Sequence, residues 1–254
     1  MNMTNGILMT AMGPRYVREA MFAAKSFKRF NPGLPIAVFT DAPGHVNKNL
    51  AIPYPMEWKG RKDRSKVMQA LTTRLEVWGR TPFERTFAFD TDVFCCADIR
   101  EVFRLLDRFD VVMNHGHCRV YRLELAKNEG IDQDLPEPFT TVQGGSILFR
   151  KTPDVMKVIK ALPEAYVAQD YFDDQLTIRR ALWESNLQLY FLPPEWNFNH
   201  ESAFRNWREK SKVARPRIFH YTTAKGSKVR KIMNREGLLP FPEGLGNAQT
   251  NPNQ

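Results

Sequence analysis

The segment Phe87-Ala88-Phe89-Asp90-Thr91-Asp92-Val93 ends a strongly apolar run in two carboxylates two residues apart. Side chains at i and i+2 of an extended chain share a face, so Asp90 and Asp92 can point into one crevice. Two hard oxygen donors there suit a divalent cation, Mg2+ or Mn2+, of the kind that also bridges a diphosphate. Such a metal neutralises charge gathering on a phosphate leaving group. The plain alternative is a turn and a helix cap, since a bare Asp-x-Asp recurs by chance. His220 ends a later apolar run, and its neutral imidazole suits Mn2+ better than Mg2+. A lone histidine there would more often be a hydrogen-bonded core residue, but with Asp90 and Asp92 as partners ligation is the stronger reading.

Other chemistry-bearing residues are more ambiguous. Asp173-Asp174-Gln175 opens a helical stretch, where acids also simply cap a helix and offset its dipole. Basic residues gather at Arg61, Lys62, Arg64 and Lys66, and again at Lys225, Lys228, Arg230 and Lys231. Such runs are usually a solvated face, yet a diphosphate needs only one or two of them: Arg64 or Lys66, and Lys225 or Lys228. In Gln143-Gly144-Gly145 the paired glycines let backbone approach a ligand or mark a bulge in a strand. Cys95 and Cys96 read as small buried hydrophobes, with no Cys-x-x-Cys metal spacing.

These residues need elements to hold them. Gly6–Ala11, Pro35–Thr40 and Arg85–Asp90 read as buried strands. Between them lie a helix opened by Pro14, with Tyr16, Ala20, Ala23, Ala24 and Phe27 at helical spacing, and a helix striped by Val67, Leu71, Leu75 and Trp78. Strands alternating with helices predict parallel βαβ units and an α/β sandwich, in which ligands bind at the carboxyl ends of strands. Further on come a short helix over Ile99–Leu106, strands at Phe109–Asn114 and Gly145–Arg150, and a helix opened by Thr152-Pro153. A helix over Asp173–Glu184 and strands near Leu187–Leu192 and Arg217–Tyr221 follow. Residues 119–141, polar and proline-punctuated, read as a long loop or lid, and 244–254 as a disordered tail.

The chain has 254 residues, 43% of them hydrophobic, enough for one sizeable core and for one domain over 1–243. No apolar run approaches the roughly 20 residues of a membrane span. Met1–Ala11 lacks the pattern of a signal peptide, and three cysteines are too few for a disulfide scaffold. A cytoplasmic protein is expected, with peripheral membrane association open to it. The net charge of +9, from 37 Lys and Arg against 28 Asp and Glu, fits nucleic acid, a phosphorylated small molecule or an anionic surface and does not choose among them.

Taken in order, the motifs resemble the nucleotide-sugar glycosyltransferases of the GT-A fold, in particular the branch that includes glycogenin and the bacterial galactosyltransferases. The matching pieces are Thr10-Ala11-Met12-Gly13 with Tyr16, then Arg64-Ser65-Lys66, the Asp90-x-Asp92 turn and Gln143 through Phe149. Asp173-Asp174-Gln175, Leu192-Pro193-Pro194-Glu195-Trp196-Asn197 and Ile218-Phe219-His220-Tyr221 complete the series. The resemblance implies one α/β domain with a mostly parallel central sheet and helices on both faces. It implies that Thr10 and Tyr16 contact the nucleotide, and that Gln143, Gly144 and Gly145 lie against the donor. Asp92 and His220 would ligate Mn2+, with Mg2+ the alternative, while Asp90 bonds the ribose or completes the metal shell. Asp174 and Gln175 would face the anomeric carbon, one positioning sugar hydroxyls and the other stabilising oxocarbenium-like charge. The implied reaction moves a hexose from a nucleotide-diphosphate sugar, a UDP-sugar by preference, to a hydroxyl of a glycan, lipid-linked or other acceptor, with retention. Thr223 and Gly226 stand where the family has glycine and lysine, with Lys225 and Lys228 on either side of Gly226 as candidate phosphate ligands.

Two other readings compete. Asp90-Thr91-Asp92-Val93 also resembles the nucleophile loop of haloacid-dehalogenase phosphatases, but that loop needs Thr or Val where this chain has Phe94 and normally lies near the N-terminus. A non-catalytic basic module binding nucleic acid or an anionic surface rests only on the charge surplus. No aromatic-basic interleaving or nucleic-acid motif accompanies it, so no nucleic-acid partner is expected.

Overall fold

The computed structural model describes residues 4–116, 134–136, 138–169, 174–198 and 216–220. Its frame is a seven-stranded sheet in the order β3-β2-β1-β4-β7-β6-β8. The strands are β1 (Asn5–Thr10), β2 (Ile36–Thr40), β3 (Ile52–Pro55), β4 (Arg85–Phe89), β6 (Val111–His115), β7 (Val142–Arg150) and β8 (Leu189–Leu192). All are parallel except β7, which runs antiparallel between β4 and β6. The expectation of a mostly parallel sheet holds, with this one reversal.

Side chains alternate across the sheet, and each face is buried. Ile7, Met9, Phe87, Phe89, Val112 and Leu148 form one core cluster with Ala20, Ala23, Ala24 and Phe27 of helix α1 (Pro14–Phe30) and with Val102, Phe103 and Leu106 of the stretch 100–107. On the other face Leu8, Ala88, Val111, Met113, Ile147 and Phe149 meet α2 (Lys66–Trp78), α3 (Pro153–Gln169) and α4 (Asp174–Trp183). Both faces are therefore covered by helices, as the alternating pattern requires. Ser65 starts α2 by accepting a hydrogen bond from the Met68 N–H at 3.2 Å. The short helix expected over Ile99–Leu106 is a 3-10 helix over Arg100–Asp107. No helix among the described residues is long and apolar enough to cross a membrane.

Two features of strand pairing shape the site. The late strand, here β9 (Ile218–His220), does not join the main sheet. It pairs antiparallel with β5 (Val93–Cys95), with Val93 opposite His220, in a separate two-stranded sheet. The pairing of β6 with β7 also slips. Met113 faces Ile147 but His115 faces Val142, so the stretch Gln143–Ser146 bulges out of register. That stretch contains both glycines. Most of the expected 119–141 loop and all of the 244–254 tail lie outside the described residues.

Candidate active site

Strand β4 delivers Asp90 to the carboxyl edge of the sheet. The Asp90 N–H donates to the Gly145 carbonyl at 3.0 Å, tying the acidic turn to the bulge. Thr91 turns inward, and its hydroxyl donates to Glu19 on α1 at 3.2 Å. The chain then resumes as β5, and the β5–β9 pairing sets His220 beside Asp92. The two side chains lie 2.9 Å apart, Nε2 to Oδ1, and the same nitrogen is 3.9 Å from Oδ2 of Asp90. Asp90, Asp92 and His220 each offer one ligand atom, and these atoms lie within 4.8 Å of one another.

The space among them is kept open by a missing side chain. A Cβ on Gly145 would stand 2.7 Å from Asp90 Oδ2 and 2.8 Å from His220 Cε1, inside contact distance of both. Two carboxylate oxygens and an imidazole nitrogen around a gap that only glycine leaves fit a divalent cation. The electrostatics agree. Burial alone would lower the basicity of His220, but the charge and hydrogen bond of Asp92, then the charge of Asp90, outweigh it and raise its pKa to about 9. The group thus attracts positive charge, which it meets with a proton on the imidazole. Glu19 lies behind this turn, and its carboxyl pKa is raised by burial and then by Asp92.

A second cluster adjoins the first. Arg74, on α2, donates one guanidinium nitrogen to Asp90 Oδ1 and the other to Asp174 Oδ2. Asp174 opens α4 and is 1% exposed, so its charge is met by a fixed guanidinium rather than by water. Burial disfavours the charged arginine, yet the two carboxylates drive its pKa above the usual value. Gly144 repeats the role of its neighbour: a Cβ there would lie 2.8 Å from Asp174 Oδ1, 3.0 Å from Arg74 Nη2 and 3.4 Å from Gln175 Cγ. Paired glycines in a bulge therefore face both clusters. Tyr166 of α3 lies within electrostatic reach of Asp174, and its pKa is raised to about 12, chiefly by burial.

Sequence reasoning missed Arg74. It stands one residue before Leu75 of the apolar stripe, and the only available signal was a charged residue placed next to a buried position on α2.

The remaining candidates are placed as follows. Thr10, half-buried, ends β1; Tyr16, exposed, lies in the first turn of α1 with the Arg15 guanidinium 5.6 Å from its ring centre. Gln143 is buried in β7. Half-buried Arg64 lines a cavity of about 10 Å3 with Met68, Gln69, Thr72 and Tyr166. The Lys66 ammonium lies 4.9 Å from the centre of the Trp58 ring, and Trp58 Nε1 donates to Asp41 at 2.8 Å. Asp41 also accepts from the Gly13 N–H at 2.6 Å, so one carboxylate ties the loop after β1 to the segment before α2. Asp41, Trp58, Lys59 and Arg80 border a cavity of about 590 Å3 at the ends of β2 and β3. Asp173, Lys225 and Lys228 lie outside the described residues.

No protein-family model matches the chain, and no curated protein matches it by sequence. Among solved structures it is similar to the bifunctional glycosyltransferase WbbM, at 15% identity and a TM-score of 0.62 over 87% of this chain and 46% of that one. It is similar to the glycosyltransferase GlyE of Streptococcus pneumoniae, at 13% identity and a TM-score of 0.61 over 94% and 61%. It is also similar to the galactosyltransferase LgtC, in complex with donor and acceptor sugar analogues, at 15% identity and a TM-score of 0.57 over 94% and 98%. The chain thus spans under half of WbbM but nearly all of LgtC. At these identities the likeness establishes the fold, which is the GT-A fold of these glycosyltransferases.

Proposed function

We propose that the protein is a metal-dependent glycosyltransferase that moves a hexose from a nucleotide-diphosphate sugar, specifically a UDP-sugar, to a hydroxyl acceptor with retention. The acceptor is a glycan, a lipid-linked saccharide or another hydroxyl compound. The observation that carries this reading is the convergence of Asp90, Asp92 and His220 at the carboxyl end of β4, around the gap at Gly145. The fold shared with solved glycosyltransferases supports it.

Asp92, His220 and the Oδ2 side of Asp90 would hold Mn2+, which when bound supplies positive charge against the donor diphosphate as the glycosidic bond breaks. The protein's own groups do the rest. The bulge at Gly144 and Gly145 brings bare backbone up to the donor, so a sugar can approach without meeting a side chain. Arg74 holds the Asp174 carboxylate in one orientation at the start of α4. From there Asp174 and Gln175 face the anomeric carbon, one positioning sugar hydroxyls and the other stabilising oxocarbenium-like charge. Thr10 and Tyr16 lie at the end of β1 and the start of α1, where the nucleotide would pack. A basic residue from Arg64 or Lys66, with Lys225 or Lys228, completes the diphosphate contacts.

The test is donor hydrolysis, screened over a panel of nucleotide sugars with Mn2+, for the wild-type protein, Asp92→Asn and His220→Ala. Each variant should lose about two orders of magnitude or more in metal-dependent rate, the scale of removing one preorganised electrostatic contact. Asp92→Asn should stay folded under the assay conditions, its melting temperature lowered by no more than the lost pairing with His220 accounts for. Near-normal metal-dependent turnover in Asp92→Asn would refute the assignment.

A further inference from the structure

Behind His220 runs a buried chain of polar side chains whose hydrogen bonds can point only one way. It begins at the Pro193 carbonyl, which can only accept, and Asn114 Nδ2 donates to it at 3.5 Å. That leaves Oδ1 of Asn114 facing Ser146, whose hydroxyl donates to it at 3.0 Å. A hydroxyl has one proton, so toward Asn197 the same oxygen accepts, from Asn197 Nδ2 at 3.2 Å. Asn197 Oδ1 then faces His220 Nδ1 at 3.2 Å, and this contact is a hydrogen bond only if Nδ1 carries a proton. A neutral imidazole protonated at Nδ1 offers its lone pair at Nε2, the nitrogen turned toward Asp92 and Asp90.

We propose that Asn197, Ser146 and Asn114 are positioning residues that fix the tautomer and ring orientation of His220, so that Nε2 serves as the metal ligand. This inference rests on the divalent-cation reading of the Asp90–Asp92–His220 group. All three residues are buried, at 6%, 1% and 3% exposure. A buried polar chain is costly unless every member is satisfied, and here each link satisfies the next. The chain also accounts for residues that the proposed chemistry leaves idle. Asn114 lies in the β6 stretch where the register slips, Ser146 closes the β7 bulge, and Asn197 caps the turn over Pro194–Trp196. Three separate segments thus converge on one nitrogen.

The experiment is Mn2+ affinity, by calorimetry or electron paramagnetic resonance, for the wild-type protein and for Asn197→Leu, Asn197→Asp and Ser146→Ala, each checked by its metal-free melting temperature. Removing an outer hydrogen-bond partner of a metal-bound histidine costs about 10–100-fold in affinity, and Asn197→Leu should lose that much. Asn197→Asp keeps an acceptor for the Nδ1 proton, although Ser146 must then turn its hydroxyl from Asn114 to donate to it, so it should bind Mn2+ more tightly than Asn197→Leu. Ser146→Ala frees the Asn197 amide to rotate and should show a smaller loss in the same direction. Spectra of nitrogen-labelled, Zn2+-loaded protein should place the metal on Nε2 of His220 and a proton on Nδ1. A folded Asn197→Leu that binds Mn2+ like wild type, an Asn197→Asp as weak as Asn197→Leu, or metal on Nδ1 overturns the inference. Should Asn197→Leu not fold, unchanged affinity in Ser146→Ala overturns it instead. A wild-type protein that takes no Mn2+ refutes the metal reading and this inference with it, whereas the other outcomes refute only the hydrogen-bond chain.

Discussion

One guanidinium holds two carboxylates that would otherwise repel in a half-buried space. Asp90 and Asp174 come from segments far apart in the chain, and Arg74 bonds both. Removing one partner of a buried ion pair leaves uncompensated charge, at a cost of about 3–5 kcal/mol. Arg74→Ala should lose stability on that scale in denaturant unfolding. Arg74→Lys, with a point charge that cannot span both acids, should fall between; an Arg74→Ala as stable as wild type would mean that the two acids do not depend on it. His220 sets a pH dependence of its own. Its folded pKa of about 9 lies above the ordinary value of 6.5, so the protonated ring stabilises the native state fully below about pH 6.5. That contribution disappears as pH rises through about 9. The metal-free protein should therefore lose stability, on the order of 2–3 kcal/mol at most, between about pH 6.5 and 9. Unfolding midpoints measured across that range should fall for wild type and stay flat for His220→Ala.

The decisive element is the bulge in β7. Because Gln143–Ser146 leaves the β6 register, the backbone at Gly144 and Gly145 comes within side-chain distance of Asp174 and of Asp90 and His220. Gly145→Ala would put a methyl group into the gap proposed for the metal. Overpacking of this kind costs about 1–3 kcal/mol, so the variant should fold while losing Mn2+ binding and metal-dependent hydrolysis. Retained Mn2+ affinity in Gly145→Ala would show that the gap is not where the ion sits. The glycine pair was visible in the sequence as a point of close approach or a bulge, and the structure makes it both. Other elements were legible in proportion to their length and period. β1, β2, β4, α1 and α2 carry apolar patterns long enough to read. β3 is an edge strand interrupted by Pro53 and Pro55, and β5 has three residues, so neither presents a period. The pairing of β9 with β5 was not readable, because short strands with no connecting turn between them leave no local trace of their partner.

At the scale of the molecule, the site exists only when α2, β4, β7, α4 and β9 are all in place. Ligands that bind it bind the native state alone and must raise its stability, by about 2.7 kcal/mol at a hundred times their dissociation constant. Since the proposed metal lies where the donor diphosphate would, Mn2+ and UDP together should raise the melting temperature by more than the sum of their separate effects. In His220→Ala that excess should vanish; an excess of the same size in the variant would place the metal elsewhere. The sequence by itself determined the α/β class, the strand that presents Asp90 and Asp92, and the candidacy of His220, because these follow from local apolar patterns and residue chemistry. It also carried the order of motifs that resembles GT-A glycosyltransferases, and the fold which that resemblance implies is the one observed. Only the tertiary structure decided that β7 runs antiparallel, that β9 meets β5 outside the main sheet, and that Arg74 joins Asp90 to Asp174. It alone showed that Asn114, Ser146 and Asn197 line up behind His220. Each of these is a relation between segments distant in sequence, set by how sheets close and helices pack, and such relations leave no periodic mark on any one segment.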